Sequence, residues 1–399
     1  MKRIYDLWVR SQLHKHRQMA MVMGPRQVGK TTTARSLDPD HVYINWDNLN
    51  DRKLILAGPD ELAHVSGLNQ LRKDRRTIVL DEVHKYRHWK NYVKGLYDSF
   101  HDRAGFVITG SARMDIYRRG GDSLMGRYFG YRMHPLSVGE VMRPALRDSV
   151  ILPPVSVSAD DIEHLLRFGG FPEPFVKADT RFYNRWRRLR SEQLFQDDIR
   201  DLTLIQEVSQ LQMLSELLID RTGQLLNYSS LASTVGCSVD TIRRWLDVLE
   251  SLYFCYRIQP WYRNVTKSLR KQPKVYLWDW SLAKDTGSRV ENFVAAHLLK
   301  ACHFWTDAGF GQFDLYYLRD KAQREVDFVV TADNTPWFIV EVKASDGGRI
   351  SPNLAYFQEQ IGCEHAFQVE LKAPYVERDC FEEKKPIRIP AATFLSQLV

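Results

Sequence analysis

The chain has 399 residues, 44% hydrophobic, 12% aromatic and 26% charged, with a formal net charge of +7. That composition excludes a disordered or low-complexity protein, and the length exceeds one ordinary core, so two or three domains are expected. Five cysteines (Cys237, Cys255, Cys302, Cys363, Cys380) without CxxC spacing exclude a disulfide framework and a structural zinc, and the basic balance favours an acidic partner such as nucleic acid.

The first segment, "MKRIYDLWVRSQLHKHRQ", is charged throughout and lacks the apolar run of a secretory leader. No later stretch has the length to cross a bilayer, so a cytoplasmic chain without a membrane partner is expected. After the apolar "MAMVM" comes "GPRQVGKTT", residues 24–32, which fits G-x-x-x-x-G-K-[ST]. The segment Gly24, Pro25, Arg26, Gln27, Val28, Gly29 would fold so that backbone N–H groups face phosphate oxygens. Lys30 would reach the β- and γ-phosphates, the Thr31 hydroxyl would ligate Mg2+, and Thr32 would continue the cradle.

A second apolar strand, "TIVLDE" (77–82), delivers Asp81 to hold Mg2+ and Glu82 to orient and deprotonate the attacking water. A third, "GFVITGSAR" (105–113), ends in Thr109 and Ser111, polar groups suited to sensing a γ-phosphate; for Ser111 a helix-capping role weighs equally. The stretches "TTTARSL" and "HWKNYVKGLYDSF" alternate with these strands as helices, which predicts a parallel sheet covered on both faces.

Taken together, "GPRQVGKTT", "LDEVHKYRHW", "ITGSAR" and "SLMGRYFGYRMHPLSVGE" resemble the archaeal and bacterial AAA+ P-loop ATPases whose C-terminal region is the DUF4143 domain. The resemblance runs over nearly the whole chain. It implies ATP hydrolysis with Mg2+ and a homo-oligomer, in many AAA+ relatives a ring with sites at subunit interfaces. Arg127 in "LMGRYFG" would then be an arginine finger for a neighbour's nucleotide. Arg113 competes for that role, and an ordinary salt-bridged surface arginine is the alternative for both.

The Pro- and Ser-bearing "RPALRDSVILPPVSVSADD" marks a boundary. Four regions are expected: an ATPase domain over 1–145, a helical linker or lid over 146–222, a winged-helix-like segment over 223–265 and a C-terminal domain over 266–399. In the helical region "FGGFPEPF" (168–175) is expected to be non-helical because of its glycines and prolines. The stretch "RFYNRWRRLR" carries five arginines and three aromatics in ten residues. That suits phosphate contact and base stacking, or equally a solvated helix face with its aromatics turned inward. Residues 227–261 read as helix, tight turn at Gly236, helix and strand, so Arg243 and Arg244 would face a groove if this segment reads DNA.

In the C-terminal region "GSRVENFVAAHLL" (287–299) is an amphipathic helix presenting Glu291. The stretch "REVDFVVTADNTPWFIVEVKAS" (324–345) reads as a hairpin. With its turn centred on Asn334, Asp327 faces Glu341, and Lys343 shares the face of Glu341. This set resembles the PD-(D/E)xK nucleases, with Val326 where that family has proline. The resemblance implies a mixed α/β nuclease-like fold, with Asp327, Glu341 and Glu291 on Mg2+ and Lys343 assisting catalysis. Two functions stay open: an ATP-dependent enzyme that processes or cleaves nucleic acid, DNA first, or an ATP-driven switch or scaffold on nucleic acid or a protein partner with an idle C-terminal domain.

Overall fold

A computed structural model of the chain describes residues 1–70, 75–110, 124–199, 205, 207–262, 272–345 and 348–399. The chain divides into two compact units, residues 1–134 with 144–146, and residues 135–143 with 147–399. Ser111 and Arg113 lie outside the described residues.

The first unit is a five-stranded sheet with helices. Its strands are β1 (Met19–Met23), β2 (Val42–Asn45), β3 (Arg76–Asp81), β4 (Ala104–Gly110) and β5 (Tyr128–Arg132), in spatial order β2-β3-β4-β1-β5. Every neighbouring pair is parallel, so all five carboxyl ends open on one edge. β1 and β4 are buried at every position, as expected of central strands covered on both faces. The helices are α1 (Ile4–Lys15), α2 (Lys30–Ser36), α3 (Leu49–Ala57), α4 (Pro59–Val65) and α5 (Trp89–Phe100). In α5 the buried residues Trp89, Tyr92, Val93, Leu96 and Phe100 recur at the helical period, so one stripe enters the core beside Ile78, Leu80 and Phe106.

The second unit begins with α6 (Val138–Met142), α7 (Ala159–Phe168), α8 (Pro172–Lys177), α9 (Thr180–Gln193) and α10 (Val208–Asp220). The stretch expected to be non-helical includes the first four residues of α8, and the reason is positional. Gly169 and Gly170 do interrupt the chain, but Pro172 takes the first helical position, where its missing N–H is an orphan in any helix. Next come α11 (Tyr228–Val235), Gly236 with φ +76°, and α12 (Val239–Ser251) capped by Ser238. The antiparallel ribbon of β6 (Cys255–Ile258) and β7 (Lys274–Leu277) completes a winged-helix arrangement.

Beyond it stand α13 (Thr286–Asp307), β8 (Phe313–Arg319), β9 (Glu325–Ala332), β10 (Thr335–Lys343), α14 (Pro352–Ile361), β11 (His365–Glu370), β12 (Ile387–Pro390) and α15 (Ala391–Gln397). The sheet order is β12-β11-β10-β9-β8. β10, β11 and β12 are parallel while β9 is antiparallel to both neighbours.

Several buried polar and charged groups of this unit find partners within it. The Lys300 ammonium donates to the Glu140 carboxylate and, at 3.0 Å, to the Pro135 carbonyl. His297 Nε2 accepts from the Val138 N–H at 3.0 Å while its Nδ1–H meets the Phe293 carbonyl at 2.7 Å. The Ser137 hydroxyl donates to the Val399 carbonyl at 2.5 Å. All five cysteines are free thiols, four of them buried. Among the described residues no helix is long and apolar enough to cross a membrane.

Candidate functional site

The loop between β1 and α2 has the conformation its sequence dictates. A Cβ on Gly24 would sit 2.3 Å from the Met133 carbonyl oxygen, so only glycine fits where the loop leaves the strand. Gly29 has φ +105°, and Gln27 adopts φ +62° although it carries a side chain, a strained value of the kind that gathers at functional loops. Pro25, Val28 and Lys30 are buried, Arg26 and Thr31 are half-buried, and Gln27 and Thr32 are exposed. The Lys30 ammonium donates to the carbonyls of Gly24 (2.9 Å) and Pro25 (2.7 Å).

Asp81 ends β3 one strand from β4, directly beside Thr109. Its carboxylate accepts from three hydroxyls: Thr31 at 2.8 Å, Tyr43 at 2.5 Å and Thr109. The carboxylate thus lies within hydrogen-bond reach of the loop, and hydroxyl and carboxylate oxygens together are the donor chemistry that Mg2+ prefers. Glu82 follows with φ +57°, and its backbone N–H is tied to the Thr109 carbonyl at 3.1 Å. The Glu82 carboxylate lies 3.4 Å from the Lys85 ammonium, which also holds Asp47 at 2.7 Å.

Three contributors to this centre escaped the sequence. Tyr43 comes from β2, where nothing in "VYIN" separates a functional tyrosine from a packing one. Burial and then its bond to Asp81 hold the phenol above its ordinary range, and the Arg35 guanidinium lies 3.9 Å from its ring centre. Arg3 is buried and donates to the carbonyls of Val28 (2.5 Å) and His134 (2.7 Å). Asp6 accepts from Thr33 at 2.6 Å, so the two residues brace the phosphate loop and the helix behind it.

Arg127 stands elsewhere. It precedes β5, and Tyr128 is level with Met19 at the start of β1 while Arg132 is level with Met23 at its end. Five residues of extended chain put it about 16 Å along the sheet from the phosphate loop, and it forms an ion pair with Asp98 at 2.7 Å. This location sets it apart from the phosphate loop of its own chain.

The arginine-rich segment became α9. Tyr183 and Trp186 are buried, while Arg181, Arg185, Arg187 and Arg188 are exposed. Arg190 turns inward to Asp279 at 3.1 Å. On α12, Arg243 pairs with Asp240 at 3.2 Å, and Asp247 and Glu250 both pair with Arg257 at 2.6 Å. On that helix Arg243 is thus paired within the helix, two of its acids hold Arg257 of β6, and Arg244 is exposed.

The C-terminal centre forms around β9 and β10, whose turn differs from the expected one. It has two residues, Asp333 and Asn334, both with positive φ, as an I′ turn requires. That turn alone would pair Thr335 with Ala332 and set a register one residue off, but a bulge between Pro336 and Phe338 restores it, and Val340 faces Phe328. Asp327 and Glu341 come next on each strand, and Asp327 Oδ2 accepts the Val342 N–H at 2.8 Å.

A lysine unforeseen from the sequence enters this centre from β7. The Lys274 ammonium lies 2.7 Å from Glu325, 3.1 Å from Glu291 and 3.8 Å from Asp327. Tyr276 donates to the same Glu291 oxygen at 2.7 Å. Lys343 sits on Glu341 at 2.8 Å, and Arg319 reaches Glu325 at 3.2 Å. Burial by itself lowers the affinity of Lys274 for its proton, but Glu291, Asp327 and Glu325 outweigh it and hold the group above the ordinary lysine range. Burial, reinforced by Glu291, pushes the Asp327 carboxyl well above its usual range. Among the described residues no group of three or more acidic, histidine or cysteine side chains is arranged to hold a metal ion. The donor set as it stands does not fit a divalent cation, because ammonium groups already engage it.

Residues 16–142 match the family model of an AAA domain, 159–288 that of a domain of unknown function, DUF8612, and 286–383 that of the DUF4143 domain of unknown function. An uncharacterized protein of Mycobacterium tuberculosis and one of Mycobacterium bovis are each 25% identical over 361 residues, 87% of this chain and 74% of the relative. One of Methanocaldococcus jannaschii is 24% identical over 339 residues, covering 79% and 73%. Among solved structures, AMPPCP-bound DnaA from Aquifex aeolicus is 10% identical over 61% of this chain and 86% of its own, with a TM-score of 0.31. PCH-2 from C. elegans is 14% identical over 61% and 67%, with a TM-score of 0.25. Scores that low carry no argument.

Proposed function

As an AAA+ P-loop ATPase with a C-terminal DUF4143 domain, this chain, we propose, is an Mg2+-dependent ATP hydrolase that works as a switch, with a C-terminal domain that does not cut. The observation that carries the ATPase reading is the hydroxyl-bonded Asp81 carboxylate beside the phosphate loop, with Glu82 next in sequence. In this role Thr31 and Asp81 hold Mg2+, whose charge offsets that of the phosphates. Lys30, released from its loop carbonyls, contacts the β- and γ-phosphates. Glu82 orients the attacking water and accepts its proton, and Thr109 holds Asp81 in position. Replacing Lys30 by alanine should lower ATP turnover at least about a hundredfold, the scale of one lost transition-state donor. Turnover at the wild-type rate in that variant overturns the assignment.

For the partner we favour nucleic acid, DNA first, engaged through the exposed arginines of α9. Four exposed guanidinium groups stand along that helix, of which Arg188 pairs with Glu192 at 2.8 Å. Substituting Arg181, Arg185 and Arg187 by alanine should weaken DNA binding and flatten its salt dependence. Binding unchanged by the triple substitution removes nucleic acid from the reading.

Cleavage is the second reading, favoured by one observation: Glu341 Oε2 is buried without a hydrogen-bond partner. The same protein incubated with Mg2+ or Mn2+, with and without ATP, on single- and double-stranded DNA and RNA separates the two. Intact substrate under every condition supports the switch, and cleavage that Asp327→Asn abolishes supports the nuclease.

A further inference from the structure

We infer that Lys274 is the built-in cation of the C-terminal centre and keeps divalent metal out of it. The argument is independent of ATP hydrolysis, since every residue involved belongs to the second unit.

Lys274 is 4% exposed, so its ammonium is a buried charge that needs partners. β7 aims Lys274 and Tyr276 at the centre together, because alternate residues of a strand share a face. Lys274 contacts a carboxylate from α13 (Glu291) and two from β9 (Glu325 and Asp327). The two shorter separations, 2.7 and 3.1 Å, are those of ammonium–carboxylate hydrogen bonds. A magnesium ion needs about six oxygens near 2.1 Å in octahedral array. Glu291 Oε1 is shared between Lys274 and Tyr276, Glu341 Oε1 holds Lys343, and Asp327 Oδ2 holds the Val342 N–H.

Charge leads to the same result. Four carboxylates (Glu291, Glu325, Asp327, Glu341) stand among three cations (Lys274, Lys343, Arg319), so a divalent ion would turn a nearly balanced site positive. Without the Lys274 ammonium, Glu291 and Asp327 would lose the cation they share, and with the buried, partnerless Glu341 Oε2 on the adjacent strand the centre would carry negative charge to spare. The centre would then become a cation site.

Manganese titration of the nucleotide-free full-length chain, read by the electron paramagnetic resonance of free Mn2+, tests this. All proteins carry Asp81→Asn to remove the N-terminal centre from the count. The otherwise unaltered chain should bind no Mn2+ that Asp327→Asn removes. Lys274→Met should gain about one Mn2+ per chain, at least about tenfold tighter, or roughly 1.4 kcal/mol, and lose it again on addition of Asp327→Asn. Lys274→Arg should keep metal out. Asp327-dependent Mn2+ binding with Lys274 in place overturns the inference, and so does a folded Lys274→Met chain that gains none. If Lys274→Met does not fold, the comparison between the unaltered, Lys274→Arg and Asp327→Asn chains decides, because metal held in the presence of the side-chain cation contradicts it.

Discussion

Asp81 and Asp327 each lie on a strand of a covered sheet with polar neighbours drawn in from other elements, yet their neighbours differ in kind. Around Asp81 the partners are the hydroxyls of Thr31, Tyr43 and Thr109, which orient a carboxylate and leave its charge to be matched. Around Asp327 the surroundings include an ammonium, and the adjoining acids have cations of their own. In the proposed function the first centre takes an external cation, while the second has an internal one. Residue types that look alike in a motif thus differ in function according to whether their partners carry charge.

The sharpest way to break that comparison is to neutralise each aspartate in turn. Asp81→Asn should reduce ATP turnover at least about a hundredfold, and Asp327→Asn should leave it within about twofold. Equal losses in steady-state assays would mean that the two centres are not distinct.

The next largest effect concerns the dependence of buried charge on its partner in the second unit. Lys300→Met leaves Glu140, which is 0% exposed, without its ammonium, and should cost about 3–5 kcal/mol. Adding Glu140→Leu should recover most of that in urea unfolding. A single variant as stable as the wild type would show that the second unit tolerates unmatched charge, and would weaken the account of Lys274.

His297 extends the same logic to pH. Burial, with a further push from Lys300, lowers its pKa to about 3, against a partial offset from the Phe293 carbonyl. A protonated ring would also turn a second N–H against the Val138 N–H. Because the folded value is depressed, the neutral ring's contribution is complete above the unfolded value of about 6.5. It is lost as pH falls from there toward 3, at up to about 1.4 kcal/mol per pH unit. Urea midpoints across that range should fall more steeply for the wild type than for His297→Gln, and parallel curves would contradict the assignment.

The smallest effect is expected at Arg127. Its ion pair with Asp98 is at the far edge of the first sheet, so Arg127→Ala should keep ATP turnover within about twofold. A loss of tenfold or more, rescued by mixing with Glu82→Gln subunits, would instead establish the arginine-finger role.

The phosphate loop, the Asp81–Glu82 pair and the parallel sheet were legible because each depends on short-range pattern: glycine spacing, an apolar run and an acidic end. The helix–turn–helix around Gly236 was legible for the same reason. Asp327 and Glu341 were matched from the right register by a partly wrong route, since a turn centred on Asn334 was expected where a two-residue turn and a bulge add to the same offset. Bulges leave no simple periodic trace. Lys274 and Tyr43 were not legible, because each reaches its aspartate from a strand whose own sequence explains it as packing. For Lys274 the available signal was a charged residue sharing a face with Tyr276 in the otherwise apolar "KVYLW".

The most direct test is the number of Mn2+ ions bound per full-length chain in the presence of a non-hydrolysable ATP analogue. One ion per chain is predicted, lost on Asp81→Asn and retained on Asp327→Asn; a second ion that disappears with Asp327→Asn would contradict the account.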